Sequence, residues 1–585
     1  MTKMKAGQAL AKVLVDWNID HIYGITADSI NNTVDGFYQE RKQLNYIQVR
    51  HEEIGALAAA ADAKLTGTIG VSFGSAGPGA VHLLNGLYDA KMDHVPVLAL
   101  VGQSATSLMN TNFFQEMNQD PIFADVAEFH KQVTTAQQIP YVVDEAIRSA
   151  YATHSVSVVI IPDDLSGQEI DFDGFKTAPL KAIKQAVVPQ TNDLSKVSAA
   201  LKAAKHPILW VGKGAFGARQ EVVAVSEKFS LPVLSTAPAT GVMPTDHPNF
   251  MGSRGRLGTK PAFEVSQAAD LILFVGTNFP FARYLPANVK FIQVNNNLAD
   301  LGKQRDADLT VLADAKLFLQ ALLKFDYSIA PTPFLRAAQA DKRNWDAWLK
   351  RLAQDDHDGL RAEGVLQAVK ENAAADAVFS IDVGNNTEWA IRQLPLNQQQ
   401  RFSMSGWYGT MGYGLPAGLA GQLSFPEKQN WTISGDGGFS VVMPDLLTEV
   451  KYQLPVINIV LENEVLGFIQ HEKLLAKQAP YGIDLQGADW VKAAQGLGAI
   501  GLKAENLAEL QAAMKKIREL QAQHNRLPIV LDAKIKNVDP IDTSFVPVER
   551  DVFGDQMVDQ YRQQYGVTES EQPAFSQLLK KYSEQ

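Results

Sequence analysis

Short apolar runs alternate with helical periods along most of this chain, and that alternation limits the fold more than any other feature. Several runs, such as residues 97–101 and 156–161, are apolar at almost every position. Such runs are typical of strands buried on both faces of a parallel sheet. Parallel strands need crossover connections, and the helical periods between the runs provide them. The sequence therefore predicts an α/β fold of doubly wound parallel sheets.

The α/β pattern occurs three times and predicts three domains followed by a tail. The predicted domains are residues 1–182, 190–340 and 355–540, and the C-terminal tail is residues 541–585. Strands are expected at residues 21–23, 45–49, 69–72, 97–101, 156–161, 207–211, 232–235, 271–275, 290–294, 377–381, 431–433, 456–461 and 528–533. Polar or helix-breaking stretches at residues 171–190 and 325–333 predict linkers.

Two helical stretches lie outside the predicted sheets. Residues 344–356 predict an exposed helix that carries two tryptophans. In the tail, Phe575, Leu578, Leu579 and Tyr582 fall on one helical face. Packing against the protein is the usual explanation for such a face, and anchoring at a membrane surface is the alternative.

Composition excludes several classes of function. The formal net charge is −11 and no basic block occurs, so nucleic-acid binding is not expected. The chain has no cysteine, which excludes disulfides, thiolate metal sites and a cysteine nucleophile. No apolar stretch has the length of a membrane-spanning helix, and the first residues lack a signal-peptide pattern. These features favour a cytoplasmic protein without membrane association.

A glycine turn and an asparagine at a set spacing form the most informative local motif. A predicted strand runs into Gly435-Asp436-Gly437-Gly438, a helix is expected over residues 444–454, and the next strand ends just before Asn463. The 27 residues from Asp436 to Asn463 match one βαβ crossover. Both side chains are therefore expected at the carboxyl ends of parallel strands, where such sheets bind ligands.

These residue types suit a magnesium ion bound to a diphosphate. Mg²⁺ prefers oxygen ligands and usually combines a carboxylate with phosphate oxygens. Asp436, the amide oxygen of Asn463 and the backbone carbonyl of Val465 are the expected protein ligands. The glycines Gly435, Gly437 and Gly438 allow backbone N–H groups to approach the anion. A tight turn after a buried strand is the alternative, and Asn463 at this spacing argues against it.

With these residues the chain resembles the thiamine-diphosphate (ThDP) enzymes, whose signature is Gly-Asp-Gly followed by Asn after a similar gap. The resemblance implies ThDP and Mg²⁺ as cofactors, with a pyrimidine-binding, a central FAD-type and a diphosphate-binding domain in chain order. It implies that Glu52 activates the cofactor's aminopyrimidine. The alternative for a carboxylate here is a charge at a helix N-terminus, a role that suits Glu53 better. Met411 matches the bulky residue that supports the bent cofactor, and core packing is a compatible role.

The family places this glutamate and the metal motif on different subunits. The resemblance therefore implies a homo-oligomer of at least a dimer, expected as a tetramer built from two dimers.

Further stretches, at residues 46–53, 74–79, 85–90, 114–118 and 467–472, resemble the pyruvate oxidases within this family. The resemblance implies that Phe114, Gln115, Phe468 and Glu472 surround the substrate and that Ser29 and Gly77 contact the cofactor. It implies oxidative decarboxylation of pyruvate, with phosphate and O₂ as co-substrates, giving acetyl phosphate, CO₂ and H₂O₂. A quinone-linked pyruvate dehydrogenase that releases acetate, a non-redox ThDP lyase or synthase, and a non-catalytic homologue remain as alternatives.

The resemblance also implies FAD in the central domain. The expected contacts are Gly212, Gly214, Ala215, Arg256, Thr277, Asn278 and Phe279, with Arg256 stabilising a reduced anionic flavin. Three positions depart from the branch. Asn295 and Asn297 replace carboxylates that contact the ribose, which lowers the expected FAD affinity. Thr240 replaces a common lysine. Asp28 replaces a glycine of the phosphate-dependent oxidases and favours the quinone-linked enzymes.

Overall fold

The computed structural model describes residues 2–175, 186–394, 396–543, 550–568 and 570–585. Its first part contains β1 (Lys3–Lys5), α1 (Ala6–Asp16), β2 (His21–Gly24), α2 (Asn31–Gln39), β3 (Asn45–Gln48), α3 (Glu52–Thr66), β4 (Gly70–Gly74), α4 (Pro78–His82), α5 (Leu84–Met92), β5 (Val97–Gln103), α6 (Asp120–Phe123), β6 (Ala127–Gln132), α7 (Ile139–Thr153), β7 (Val156–Pro162), α8 (Asp163–Ser166) and β8 (Glu169–Asp171). Residues 176–185, which include the predicted end of the first domain and part of the first linker, lie outside the described residues.

Six of these strands form one parallel sheet in the order β3-β2-β4-β5-β7-β6. Alternate residues of its central strands enter two separate cores. Leu98 and Leu100 pack with α1 and α7, while Val97 and Ala99 pack with α3 and α5. The sheet is thus covered on both faces, as its apolar strands predict.

The central domain contains α9 (Thr191–Ala203), β9 (Pro207–Val211), α10 (Arg219–Phe229), β10 (Val233–Ser235), β11 (Phe250–Ser253), α11 (Lys260–Gln267), β12 (Leu271–Val275), β13 (Lys290–Asn295), β14 (Leu309–Leu312) and α12 (Ala315–Leu323). Its parallel sheet has the order β11-β10-β9-β12-β13-β14. Counted within the domain, this is the order 3-2-1-4-5-6 found in dinucleotide-binding sheets. The long helix α13 (Pro333–Leu352) follows.

The third domain contains α14 (Ala362–Asn372), β15 (Val378–Ile381), α15 (Asn385–Gln393), β16 (Arg401–Met404), α16 (Gly414–Ser424), β17 (Asn430–Gly435), α17 (Asp436–Val442), α18 (Leu446–Lys451), β18 (Ile457–Glu462), α19 (Gly467–Leu475), α20 (Trp490–Gly496), β19 (Ile500–Ala504), α21 (Leu507–Ala522) and β20 (Ile529–Lys534). Its parallel sheet, β16-β15-β17-β18-β20-β19, repeats the strand order of the first domain. The fold is therefore α/β with three doubly wound parallel sheets.

Each sheet has a central point where the strand order reverses, and loops from both sides meet there at the carboxyl ends of the strands. In the third sheet this point lies between β15 and β17, and in the central sheet between β9 and β12. The predicted metal motif follows β17, and the two predicted flavin turns follow β9 and β12. The topology thus brings the predicted sites to the crevices where open α/β sheets bind ligands.

The C-terminal segment covers surfaces that the sequence assigns to solvent. Its helices are α22 (Arg550–Phe553), α23 (Asp555–Gln564) and α24 (Phe575–Ser583). The prediction of an exposed helix at residues 344–356 is wrong, because Trp345 and Trp348 of α13 are buried against Tyr565. The ring of Phe575 packs edge-on against Phe334, with centroids 5.6 Å apart. The apolar face of α24 therefore packs on the protein. No described helix has the length and hydropathy needed to cross a bilayer.

Candidate functional site

The structure brings together the three residues predicted to hold a metal. Asp436 follows β17 directly, and β17 pairs with β18, which ends just before Asn463. Asp436 Oδ2 accepts a hydrogen bond from the backbone N–H of Glu464 at 2.8 Å. Asn463 Oδ1 accepts one from the N–H of Val465 at 3.4 Å. Burial raises the pKa of the Asp436 carboxyl. A bound cation would oppose that rise and hold the group ionised.

The secondary structure around this motif differs from the prediction in one respect. A helix begins at Asp436 itself, whereas the sequence suggests a glycine turn followed by a helix from residue 444. Gly437 and Gly438 therefore lie in the first turn of α17, where backbone N–H groups have no helical acceptor. The Gly437 N–H donates to Asp436 Oδ1 at 2.9 Å.

Two residues that the sequence analysis missed face this motif across the point where the strand order reverses. Asp382 follows β15, is fully buried, and accepts backbone N–H groups from Val383 at 2.7 Å and Gly412 at 2.9 Å. Burial raises its pKa. A Cβ atom on Gly438 would lie 2.9 Å from this carboxylate, so α17 can approach it only with glycine there. The sequence contained one signal for Asp382, namely an acidic residue directly after the strand predicted at residues 377–381.

Asn385 is the second missed residue, and it provides a test of whether a diphosphate fits here. Its side-chain Nδ2 is buried and has no hydrogen-bond acceptor among the described residues. A Cβ on Gly467 would lie 2.6 Å from Asn385 Nδ2 and 3.3 Å from Asn463 Nδ2, which places the two amides side by side. An unpaired buried donor is costly, and a phosphate oxygen would satisfy it. The residues present therefore fit ThDP with Mg²⁺.

Met411 lies over the same turn. A Cβ on Gly437 would lie 3.3 Å from Met411 Cε and 3.2 Å from the side chain of Leu466. The Met411 side chain is 37% exposed, so part of it remains free to contact a ligand. Its position agrees with a supporting role beside the metal motif.

Glu52 is the first residue of α3 and is buried, with 8% of its surface exposed. Its Oε2 lies 3.0 Å from Nδ1 of His82, a residue that the sequence analysis did not single out. Glu53 takes the other role foreseen for this position: it lies in the first turn of α3, and its Oε1 accepts a hydrogen bond from Asn85 at 2.6 Å. The two neighbouring carboxylates therefore have different surroundings.

The turn at residues 75–79 carries two further predicted cofactor contacts. Ser29 Oγ accepts the N–H of Ala76 at 2.8 Å, which fixes Ser29 against this turn. Gly77 has φ +65°, and a Cβ there would lie 2.9 Å from the carbonyl oxygen of Gln115. Gln115 itself has φ +59°, a backbone conformation that residues other than glycine rarely adopt. Next to it, Phe114 is 71% exposed. The loop thus presents an aromatic ring and a polar side chain outward.

Arg256 joins the central domain to helix α19 of the third domain. Its guanidinium lies over the ring of Phe468, 3.7 Å from the centroid. Arg256 Nη1 forms an ion pair with Glu472, and Nη2 donates to the Phe468 carbonyl at 3.3 Å. Phe468 and Glu472 were predicted at the substrate and Arg256 at the flavin, so the structure connects the two predicted groups.

The two predicted flavin turns pack directly against each other. Gly214 N–H donates to the carbonyl of Gly276 at 2.9 Å, and a Cβ on Gly212 would lie 2.2 Å from Thr277 Cβ. This close packing by itself requires glycine at residue 212. Ala215 is buried, and its N–H donates to the Gly212 carbonyl at 3.0 Å.

Asn278, another predicted flavin contact, has a protein partner, because it donates to Asp300 at 3.1 Å. At the positions that depart from the branch, Asn295 Oδ1 accepts the N–H of Asn297 at 3.0 Å. The ring of Phe279 is buried against Trp210, with centroids 5.1 Å apart. Phe279 is therefore a core side chain, and its backbone N–H donates to Thr277 Oγ1 at 3.1 Å. The strand order of the sheet and the meeting of both turns at its reversal point still fit a dinucleotide.

Comparison with known proteins agrees with this geometry. Three family models match the chain: the N-terminal TPP binding domain of thiamine pyrophosphate enzymes over residues 4–122, the central domain over residues 194–322, and the C-terminal TPP binding domain over residues 382–533. Thiamine pyrophosphate is another name for thiamine diphosphate.

Individual relatives align over nearly the whole chain. Pyruvate oxidase of Lactiplantibacillus plantarum is 41% identical over 96% of this chain and 94% of its own. The putative thiamine pyrophosphate-containing protein YdaP of Bacillus subtilis is 40% identical over 92% of this chain and 93% of its own. The acetolactate synthase large subunit of Corynebacterium glutamicum is 28% identical over 91% of this chain and 86% of its own. The chain therefore belongs to the thiamine-diphosphate enzymes, in the branch that contains the pyruvate oxidases and the acetolactate synthases.

Proposed function

We propose that this enzyme catalyses the oxidative decarboxylation of pyruvate with ThDP, Mg²⁺ and FAD. Phosphate is the acyl acceptor and O₂ the electron acceptor, so the products are acetyl phosphate, CO₂ and H₂O₂. The observation that carries this proposal is the contact of Arg256 with both Phe468 and Glu472. One cation reaches from the dinucleotide-type domain to the expected substrate pocket, which supports two cofactor sites next to each other. The 41% identity to a pyruvate oxidase supports the choice of substrate.

Each side chain has a role that its position supports. When bound, ThDP supplies the electron sink for loss of CO₂ from a 2-keto acid, and FAD accepts the remaining electron pair. Asp436, Asn463 and the Val465 carbonyl hold the metal, and Asn385 donates to the diphosphate. Glu52 holds a proton at the aminopyrimidine ring.

The substrate pocket has apolar and polar parts. Phe114 and Phe468 provide apolar walls that exclude water, while Gln115 binds the substrate carboxylate. Glu472 moves a proton at the reacting carbonyl, and its ion pair with Arg256 fixes its orientation. Arg256 also places positive charge beside the flavin, which favours the reduced anionic ring.

Replacing Glu52 by Gln tests the central step. We expect Glu52→Gln to abolish CO₂ release from pyruvate, because the amide cannot hold and release the proton. The circular dichroism spectrum and the binding of ThDP with Mg²⁺ should be unchanged. Glu53→Gln is the matched control, since it makes the same chemical change on the same helical turn, and it should retain turnover. Wild-type CO₂ release by Glu52→Gln would refute the assignment.

The active sites are proposed to lie between subunits of a homotetramer, with Glu52 from one subunit and Asp436 from its partner. The 71% exposure of Phe114 supports a loop that another subunit covers. Coexpression of Glu52→Gln with Asp436→Asn chains tests the arrangement. About half the dimers would be mixed, and each mixed dimer would keep one intact site, so about a quarter of wild-type activity should return. No recovery would contradict shared sites.

The quinone-linked alternative has one specific observation in its favour. Asp28 lies just before Ser29, and its charge contributes to the raised pKa of Asp163, for which burial is the main cause. Two carboxylates close to a predicted cofactor contact disfavour an incoming phosphate ion. Oxygen uptake with pyruvate, measured with and without phosphate, distinguishes the two enzymes. A purified protein without a flavin absorbance spectrum would instead indicate a non-redox lyase or synthase.

A further inference from the structure

Glu52 belongs to a compact group of three ionisable side chains that its proposed role does not explain. Ligand atoms of His51, Glu52 and His82 all lie within 4.8 Å of one another. The His82 ring stacks on the His51 ring, with centroids 4.2 Å apart and planes 28° apart. Both imidazoles are partly exposed, while the carboxylate is nearly enclosed. The carboxylate is therefore the most buried member of the group.

The two oxygens of the Glu52 carboxylate have different surroundings. Oε2 lies 3.0 Å from His82 Nδ1. This contact is the hydrogen bond that the Glu52 side chain makes with the described residues. Oε1 faces Gly79, where a Cβ atom would lie only 3.1 Å away. Glycine at this position leaves space beside Oε1. One oxygen is thus held, and the other remains open to a ligand.

The neighbouring histidine fixes the His82 ring in turn. His51 Nδ1 accepts the backbone N–H of Glu53 at 3.3 Å, so His51 caps helix α3 and its ring is fixed by the helix end. The His82 ring stacks on it with the two planes tilted by 28°. Its Nδ1 lies 3.0 Å from Glu52 Oε2, a good hydrogen-bond distance.

We propose that His82 is a positioning residue for Glu52. Its Nδ1–H donates to Oε2, which fixes the carboxylate plane and directs Oε1 toward the aminopyrimidine ring. The inference rests on the proposed function of Glu52 and adds the group that orients it. A buried carboxylate without this hydrogen bond rotates between several side-chain conformers, and only a fraction of them presents Oε1 correctly.

The test measures exchange of the C2 proton of bound ThDP for deuterium in the purified holoenzyme, which needs neither pyruvate nor flavin reduction. We expect His82→Ala to slow this exchange about 10- to 100-fold, the usual effect of losing a hydrogen bond to a charged group. ThDP affinity should stay within about twofold, because His82 acts through Glu52 and not on the diphosphate. His82→Asn, whose side-chain Nδ2–H occupies nearly the position of the histidine Nδ1–H, should regain most of the rate. Added imidazole should restore part of it to His82→Ala.

A matched control comes from the same domain. His130→Ala changes a similar histidine, whose Nδ1 lies 2.7 Å from Asp120 at the surface, and should exchange at the wild-type rate. If His82→Ala exchanges normally while Glu52→Gln does not, His82 is not a positioning residue and the role of Glu52 stands. If Glu52→Gln also exchanges normally, the proposed function itself fails. If His82→Ala does not fold, His82→Asn decides: a rate below one tenth of wild type despite its N–H would overturn the proposed hydrogen bond.

Discussion

Replacing Gly79 by Ala should slow the activation of the cofactor by Glu52 while leaving the fold intact. Gly79 lies in α4, and its φ is not in the left-handed region, so alanine is compatible with the backbone. The added Cβ would lie 2.5 Å from Ser75 Oγ and 3.1 Å from Glu52 Oε1. The first contact is shorter than real Cβ contacts, so Ser75 must move, and the space beside Oε1 is filled.

The size of the effect follows from the hydrogen bond that the filled space would prevent. A hydrogen bond to a charged group such as the Glu52 carboxylate is worth about 1.5–3 kcal/mol. Because 1.36 kcal/mol corresponds to tenfold in rate, turnover should fall about 10- to 150-fold. Alanine is the better helix former by up to about 1 kcal/mol, so the melting temperature should stay the same or rise slightly. A large loss of activity without a loss of stability is the distinctive outcome.

The assay is CO₂ release from pyruvate at saturating ThDP and Mg²⁺, with thermal unfolding measured on the same samples. The double variant Gly79→Ala with Ser75→Ala removes the nearest contact and should recover part of the rate. Gly496→Ala is the control, since a Cβ there meets no atom within 4 Å. Full turnover by Gly79→Ala would show that the space beside Glu52 is not needed, and no recovery in the double variant would show that the contact with Ser75 does not contribute.

Two further predictions concern stability. Lys64 is buried and pairs with Asp89 at 2.6 Å and with Asp93 at 2.5 Å. Lys64→Met should lower the free energy of unfolding by about 3–5 kcal/mol in urea titrations, because both carboxylates lose their buried partner. Burial by itself lowers the pKa of His21, but the charges of Asp62 and Asp20 outweigh burial and raise the pKa to about 10. The raised pKa means that the charged form of His21 stabilises the folded state. This stabilisation is complete below the usual pKa of 6.5 and is lost as the pH rises through 10. His21→Gln should therefore destabilise the protein most at low pH.

Each stability prediction has its own control and contrary result. Lys12→Met breaks a longer, partly exposed pair with Glu40 at 4.0 Å and should cost less than about 1 kcal/mol. An equal effect of both lysine variants would contradict the argument from burial. A constant difference between wild type and His21→Gln from pH 6 to 10.5 would show that the His21–Asp62 contact at 2.5 Å carries no charge.

The sequence predicts the interior strands of all three sheets, and the strands it misses lie mainly at sheet edges. β6, β14, β16 and β19 are edge strands of this kind. Most residues of β14 and β19 are partly or fully exposed, so they lack the continuous apolar run that marks a central parallel strand. An edge strand contacts one neighbour only, and its sequence is correspondingly less restricted. The prediction of an exposed helix at residues 344–356 is wrong for a related reason. The residues that bury its tryptophans come from a distant part of the chain.

The sequence alone determined the features that depend on neighbouring elements of the chain. The spacing of Asp436 and Asn463 equals one crossover, and strand pairing then fixes both at the same sheet edge. Tertiary structure alone decided the contacts between separate elements: Asn385 beside Asn463, His82 against Glu52, and Arg256 against Glu472. Such contacts depend on strand order, domain packing and side-chain conformers. None of these leaves a periodic signal in the residues, because each is selected by the free energy of the whole fold.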